Sequence, residues 1–168
     1  MGVGHRAATG TGAQAGKVVA ADWSADHVHV PFEVALLLAN GNTPHVPPAS
    51  VAAGTELFST AKPTRNLIDL AQATQVRFTA MVTANGNATG AAVKLQYRPK
   101  ATEAATWTGT DAGPTIVLGT GTVGIMRESG WVTLAAGARV ADCVIAAVVS
   151  VAFGTTSPSI GSLTAYFR

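Results

Sequence analysis

The chain has 168 residues, 48% of them hydrophobic and only 12% charged, with a net charge of +2 and a pI near 9.0. That length supports one domain with a sizeable core plus an extra segment, and a charged share about half the usual one implies that other subunits cover part of the surface. Eleven Lys and Arg scattered singly argue against a nucleic-acid or membrane-surface role, and the lone Cys143 excludes a disulfide framework.

Residues 1 to 17 are mostly Gly, Ala and Thr, which cannot bury enough apolar surface to offset their ordering entropy. Met1–Arg6 has no apolar signal core, so the protein is expected to be made and kept in a cytoplasm or to assemble there. Residues 18–30 are short and mixed around one large aromatic, Trp23. Pro31 to Gly41 fits two readings. Pro at a first helical position, Glu33 in the first turn and Asn40-Gly41 at the end suit a short helix, while the apolar run suits a buried strand. Thr43 to Gly54, with Pro44, Pro47 and Pro48, reads as extended linker. Residues 1–54 are therefore expected to form an N-terminal docking arm and linker, and residues 55–168 the body.

Within the body, Leu57–Ser59 and Asn66–Leu70 read as short strands flanking a Lys62-Pro63 turn. From Gln75 to Pro99 the alternation is plain. Val76, Phe78, Ala80 and Val82 oppose Arg77, Thr79, Met81 and Thr83, then Val93, Leu95 and Tyr97 oppose Lys94, Gln96 and Arg98. Successive side chains of a strand face opposite sides, so each run has one buried and one wet face. Asn85-Gly86 supplies positive-φ residues that reverse the chain between them, and the later strands are expected to stack on this pair. Ala101–Gly113 is polar around Trp107, with room for a short strand. Thr115–Leu118, Gly130–Leu134, Asp142–Phe153 and Ser162–Arg168 complete the series. Seven or eight short strands separated by Gly and Pro turns predict an all-β antiparallel sandwich or jelly roll with an N-terminal arm and room for one short helix.

Candidate chemistry is sparse. Gly119-Thr120-Gly121-Thr122-Val123-Gly124 matches a dinucleotide-binding pattern, but too few residues follow for the helix that would hold a pyrophosphate, so it reads as a loop. Gly16-Lys17 lacks the glycine and hydroxyl of a phosphate loop. Asp22, Asp26, His27 and His29 are the densest potential ligands, with His5 or His45 as a third contributor, yet they also suit a polar turn. Cys143 lies in an apolar run, too short to span a bilayer, and reads as core. Asn87-Ala88-Thr89 fits a glycosylation sequon but also a turn. No nucleophile elbow or glycosidase-type carboxylate pair stands out, so no catalytic residue, metal or cofactor is expected. Trp107, Tyr97 and Trp131 could stack on a sugar ring, and each could equally serve core or interface.

Val93-Lys94-Leu95-Gln96-Tyr97-Arg98, the loop to Thr106-Trp107-Thr108, the strand Gly130–Leu134, the apolar strand after Asp142 and the closing Ile160–Arg168 resemble small β-sandwich domains of tailed-bacteriophage structural proteins. Gly16 to Val28 is similar to attachment segments of phage tail and fibre proteins. The resemblance implies a non-enzymatic virion component, a minor tail, fibre or head-decoration protein that assembles as a trimer and docks by its N-terminal segment. The absence of a collagen-like or coiled-coil repeat favours a compact knob over a shaft. Trp23, Phe32, Leu36, Leu37 and Leu38 are the expected assembly anchors, with copies of the chain and other virion proteins as partners. The alternative is a carbohydrate-binding module that grips a host surface glycan through Trp107 and Tyr97.

Overall fold

The computed structural model describes residues 32–38, 43–57, 64–100 and 106–168. All of them belong to a unit spanning Pro31–Arg168, so the arm before it, with Trp23, lies outside the described residues. The described residues form eight strands: β1 (Phe32–Leu38), β2 (Asn66–Ile68), β3 (Gln75–Ala84), β4 (Ala92–Pro99), β5 (Thr110–Val117), β6 (Met126–Thr133), β7 (Cys143–Val151) and β8 (Ser159–Phe167). They form two four-stranded sheets ordered β1-β8-β3-β6 and β2-β7-β4-β5. Every pairing is antiparallel. This order is that of two Greek keys wound into a jelly roll, the all-β sandwich the alternation predicted.

The core follows from period-two patterning. Val76, Phe78, Ala80 and Val82 of β3 are fully buried, as are Leu163, Ala165 and Phe167 beside them on β8. They meet Val93 and Leu95 of β4 and Ile145, Ala147 and Val149 of β7 from the second sheet. The β3 and β4 registers are those read from the sequence, but the two strands do not pair with each other. Residues 85–91 instead carry the chain from one sheet to the other. Gly86 is the pivot, at φ 73°, where a Cβ would lie 2.5 Å from the Thr156 carbonyl oxygen. Asn87 locks the same end, its side chain donating to Thr155 Oγ1 at 2.8 Å and accepting from the Thr156 amide at 2.9 Å. The sequon asparagine is thus a turn fastener.

Residues 32–38 are a strand, which decides the helix-or-strand ambiguity. Antiparallel pairing along β8 satisfies backbone groups that would otherwise leave that strand an open edge. The ring of Phe32 stacks on Phe167 at 5.3 Å between centroids. A register shift between Ala35 and Leu37 lets the consecutive Leu36 and Leu37 both turn inward, each only 5% exposed. The expected linker is likewise built into the sandwich. His45 and Ile160 exchange two backbone hydrogen bonds of 2.8 Å, and Gly54, Thr55 and Leu57 bond to Val149 and Ala147 of β7. A boundary at residue 54 therefore cuts through the jelly roll.

Candidate interaction surfaces

The residues singled out as anchors or stacking platforms fall in separate places. Leu36 and Leu37 belong to the chain's own core, and Phe32 packs against it, so they are not free for a partner. The side chain of Leu38 lies outside the described residues, as do Trp23, Asp22, Asp26, His27, His29, His5 and Lys17. Among the described residues, no group of three or more His, Cys, Asp or Glu could hold a metal. Tyr97 points inward, partly buried against the main core, while Trp107 lies on the opposite, outer side of the second sheet. The two do not form one sugar-stacking surface.

Trp107 is 8% exposed and caps a second, smaller core of Val144, Ala146 and Val148 on the outer side of β7. Its indole Nε1 donates to Gln96 Oε1 at 2.8 Å, and the guanidinium groups of Arg98 and Arg65 lie 4.8 and 5.5 Å from its ring centroid. Arg65 also holds Glu56 through a fork of hydrogen bonds, Nε to Oε1 at 3.0 Å and an Nη2 to Oε2 at 3.0 Å. At the other end, Asp111 accepts from Gln96 and Lys94. Burial raises its pKa, but the bonds from Lys94 and Gln96 and the Lys94 charge outweigh that and hold it below its usual 3.8. A β7 apolar on both faces needs a cover on each, and the loop around Trp107 supplies the outer one.

Cys143 is fully buried, and desolvation pushes its thiol up to about 11, leaving no thiolate for nucleophilic chemistry near neutral pH. The glycine-rich segment is the loop joining β5 to β6, as its length required. Gly119 sits where a Cβ would collide with the Ala88 carbonyl at 1.9 Å. Arg127 clamps this loop, donating to the carbonyls of Val117, Leu118, Gly121 and Thr122 and to the Asn85 side chain. Around the clamp lies a groove of ≈ 500 Å³ lined by Ile116, Val117, Ile125, Glu128 and Ser129. Val117, Val123, Ile125 and Met126 are each 45% to 54% exposed, which gathers large apolar side chains at this margin.

The outer side of the first sheet carries a different constellation. Strand registers align Glu33, Tyr166, Arg77 and Trp131 in a single row across β1, β8, β3 and β6. A bulge creates it: Ser129 and Gly130 of β6 face the single Phe78 of β3, with Gly130 at φ 71° and Ser129 Oγ accepting the Phe78 amide at 3.0 Å. The extra residue puts both Glu128 and Trp131 on the outer face beside Arg77. Arg77 then pairs with Glu128 at 3.2 Å and stacks 5.2 Å from Trp131 and 4.7 Å from Tyr166. Arg168 follows, its guanidinium 4.3 Å from the Trp131 centroid and its Nε bonded to Gln75 at 2.7 Å. Rings and guanidinium groups thus alternate, held by cation–π attraction. Sequence periodicity places Arg77 on the wet face but cannot align it with residues of three other strands.

Set against known protein families the sequence matches no family model, and it matches no curated protein. No helix among the described residues is long and apolar enough to cross a membrane.

Proposed function

We propose that this chain is a non-enzymatic structural protein of a tailed-bacteriophage particle, a jelly roll that packs against neighbouring particle proteins and against copies of itself. The two-Greek-key strand order carries the reading, because this architecture serves viral coat domains whose task is packing. That is an argument from fold, and it is joined by one from the surface. Val117, Val123, Ile125 and Met126 crowd the β5–β6 margin, where neighbours in a particle would cover them. The low charged share, 12% of the chain, suits a surface largely enclosed by other subunits. The test is a protein inventory of purified particles by mass spectrometry, with a photo-crosslinker placed at Val123. The chain should be present in the particles and the crosslinker should capture an adjacent particle protein. A chain abundant in the lysate yet missing from particles would refute the proposal.

A further inference from the structure

The row across the first sheet has a property that its separate residues lack. It begins at β1 with an exposed acid, Glu33, and ends at β6 with Trp131 and the exposed Arg168 guanidinium lying over it. Tyr166 and Arg77 occupy the two central strands. Consider a twofold axis parallel to the strands, running along the outer face between β8 and β3. That operation keeps each row at its own level and reverses the order of strands. Glu33 then faces Trp131 and Arg168 of the second copy, and Tyr166 faces the second copy's Arg77. An isologous contact requires this kind of self-complementarity, in which residue i meets j and j meets i.

The neighbouring positions agree with it. One step along the strands, Ala35, Thr164, Thr79 and Glu128 form the next row, in which the two central residues are short threonines and Thr79 is only 4% exposed, so the longer side chains of the flanking rows would make the contact. One step further, Met81 pairs with Met126, itself 50% exposed, which the second copy would cover. Arg77, 31% exposed in its side chain, is already fixed by Glu128 and by two rings, so little rotamer freedom remains to be lost on association. Trp, Tyr and Arg are the residue types that dominate interface energies.

We infer that the outer face of the β1-β8-β3-β6 sheet is a twofold self-association surface, in which Glu33 of each copy pairs with Arg168 of the other. The inference stands on strand register and charge placement, independently of whether the protein belongs to a particle. A face four strands wide, with strands about 4.8 Å apart, lies at the small end of specific interfaces, so association in the micromolar range is expected.

Charge reversal tests it. Within one chain the Arg168 side chain is already engaged by Trp131, 4.3 Å from its ring centroid, and by Gln75, bonded at 2.7 Å. Glu33→Arg and Arg168→Glu should each weaken dimerisation at least tenfold in sedimentation velocity over 1–100 µM (roughly the range expected for so small a face), and the double variant should restore it. Thermal melting checks that all three variants remain folded. A wild-type monomer throughout that range would overturn the inference. So would an oligomer of any order indifferent to the single reversals, or folded single variants whose lost association the double variant fails to rescue.

Discussion

Leu37→Ala is the sharpest test of where the segment before residue 54 belongs. An anchor waiting for a partner would be dispensable to the isolated chain, and its loss would leave the melting curve unchanged. Here Leu37 is 5% exposed, opposite the fully buried Leu163 of β8, beside an equally buried Leu36. Truncation removes buried carbon and leaves a cavity, which costs about 2–5 kcal/mol in close-packed cores. An edge strand collapses more easily than a central one, so the lower half of that range, roughly 2–3 kcal/mol, is the expected loss. With a urea m value of about 1–3 kcal/mol/M, the denaturation midpoint should fall by about 0.7–3 M. Val46→Ala, at a residue 62% exposed, is the control and should shift the midpoint little. Equal midpoints for Leu37→Ala and the wild type would show that β1 is not part of the core and would return this segment to the docking arm.

Three further outcomes follow from the packing. Phe78→Ala should cost about 3–5 kcal/mol in chemical denaturation, because Phe78 is fully buried in the central strand β3, whereas the exposed Thr83→Ala should cost under about 0.5 kcal/mol. Arg127→Ala should unfasten the β5–β6 loop, seen as faster amide exchange at Gly119–Gly124, with a stability loss of roughly 1–3 kcal/mol from its charged hydrogen bonds. Cys143 should resist thiol reagents in the folded protein. Its folded pKa of about 11 exceeds the usual 9.0, so the stability it contributes is complete below pH 9 and is lost as pH rises toward 11, and Cys143→Ala should flatten that alkaline slope.

How much of this was legible in the sequence depended on how many faces of each strand are wet. β3 and β4 keep large apolar residues on one face and mostly polar ones on the other, so their alternation fixed the register of Phe78 and Leu95 without any structure, although Thr79 and Arg98, expected on the wet faces, are buried at 4% and 3% exposure. β1 offers Phe-Glu-Val-Ala-Leu-Leu-Leu, where a bulge buries two consecutive leucines, and no single period describes that pattern. β5 and β6 begin earlier than their apolar residues suggest, at Thr110 and Met126. They are edge strands that open on residues such as Thr110, Asp111, Arg127 and Glu128, which give no apolar alternation to read, and β5 tolerates Pro114 because it lies at a sheet edge. The cover of Val144, Ala146 and Val148 by Trp107 had one usable signal, the two-sidedly apolar β7, which demands something on its outer side. The Glu33–Tyr166–Arg77–Trp131 row had none, since it exists only once four strands and a bulge at Gly130 are in register.

The pairing of the first strand with the last has a consequence for how the protein is made. Among the described strands β1 leaves the ribosome before the others, and the strand it pairs with, β8, leaves after them. Roughly 120 residues separate them, which at 5–20 residues per second is a wait of about 6–24 s. β3 also waits, since one of its neighbours is β6 and the other is again β8. During that interval the apolar face of Val76, Phe78, Ala80 and Val82 has no sheet to close it, and a strand with open edges can pair with whatever neighbour is at hand. The yield of folded protein should therefore respond to conditions during translation, rising in slow, cool expression where fewer unfinished chains meet. Stretches such as Val76–Val82 would set that sensitivity, although the finished molecule buries the side chains of Val76, Phe78, Ala80 and Val82 completely.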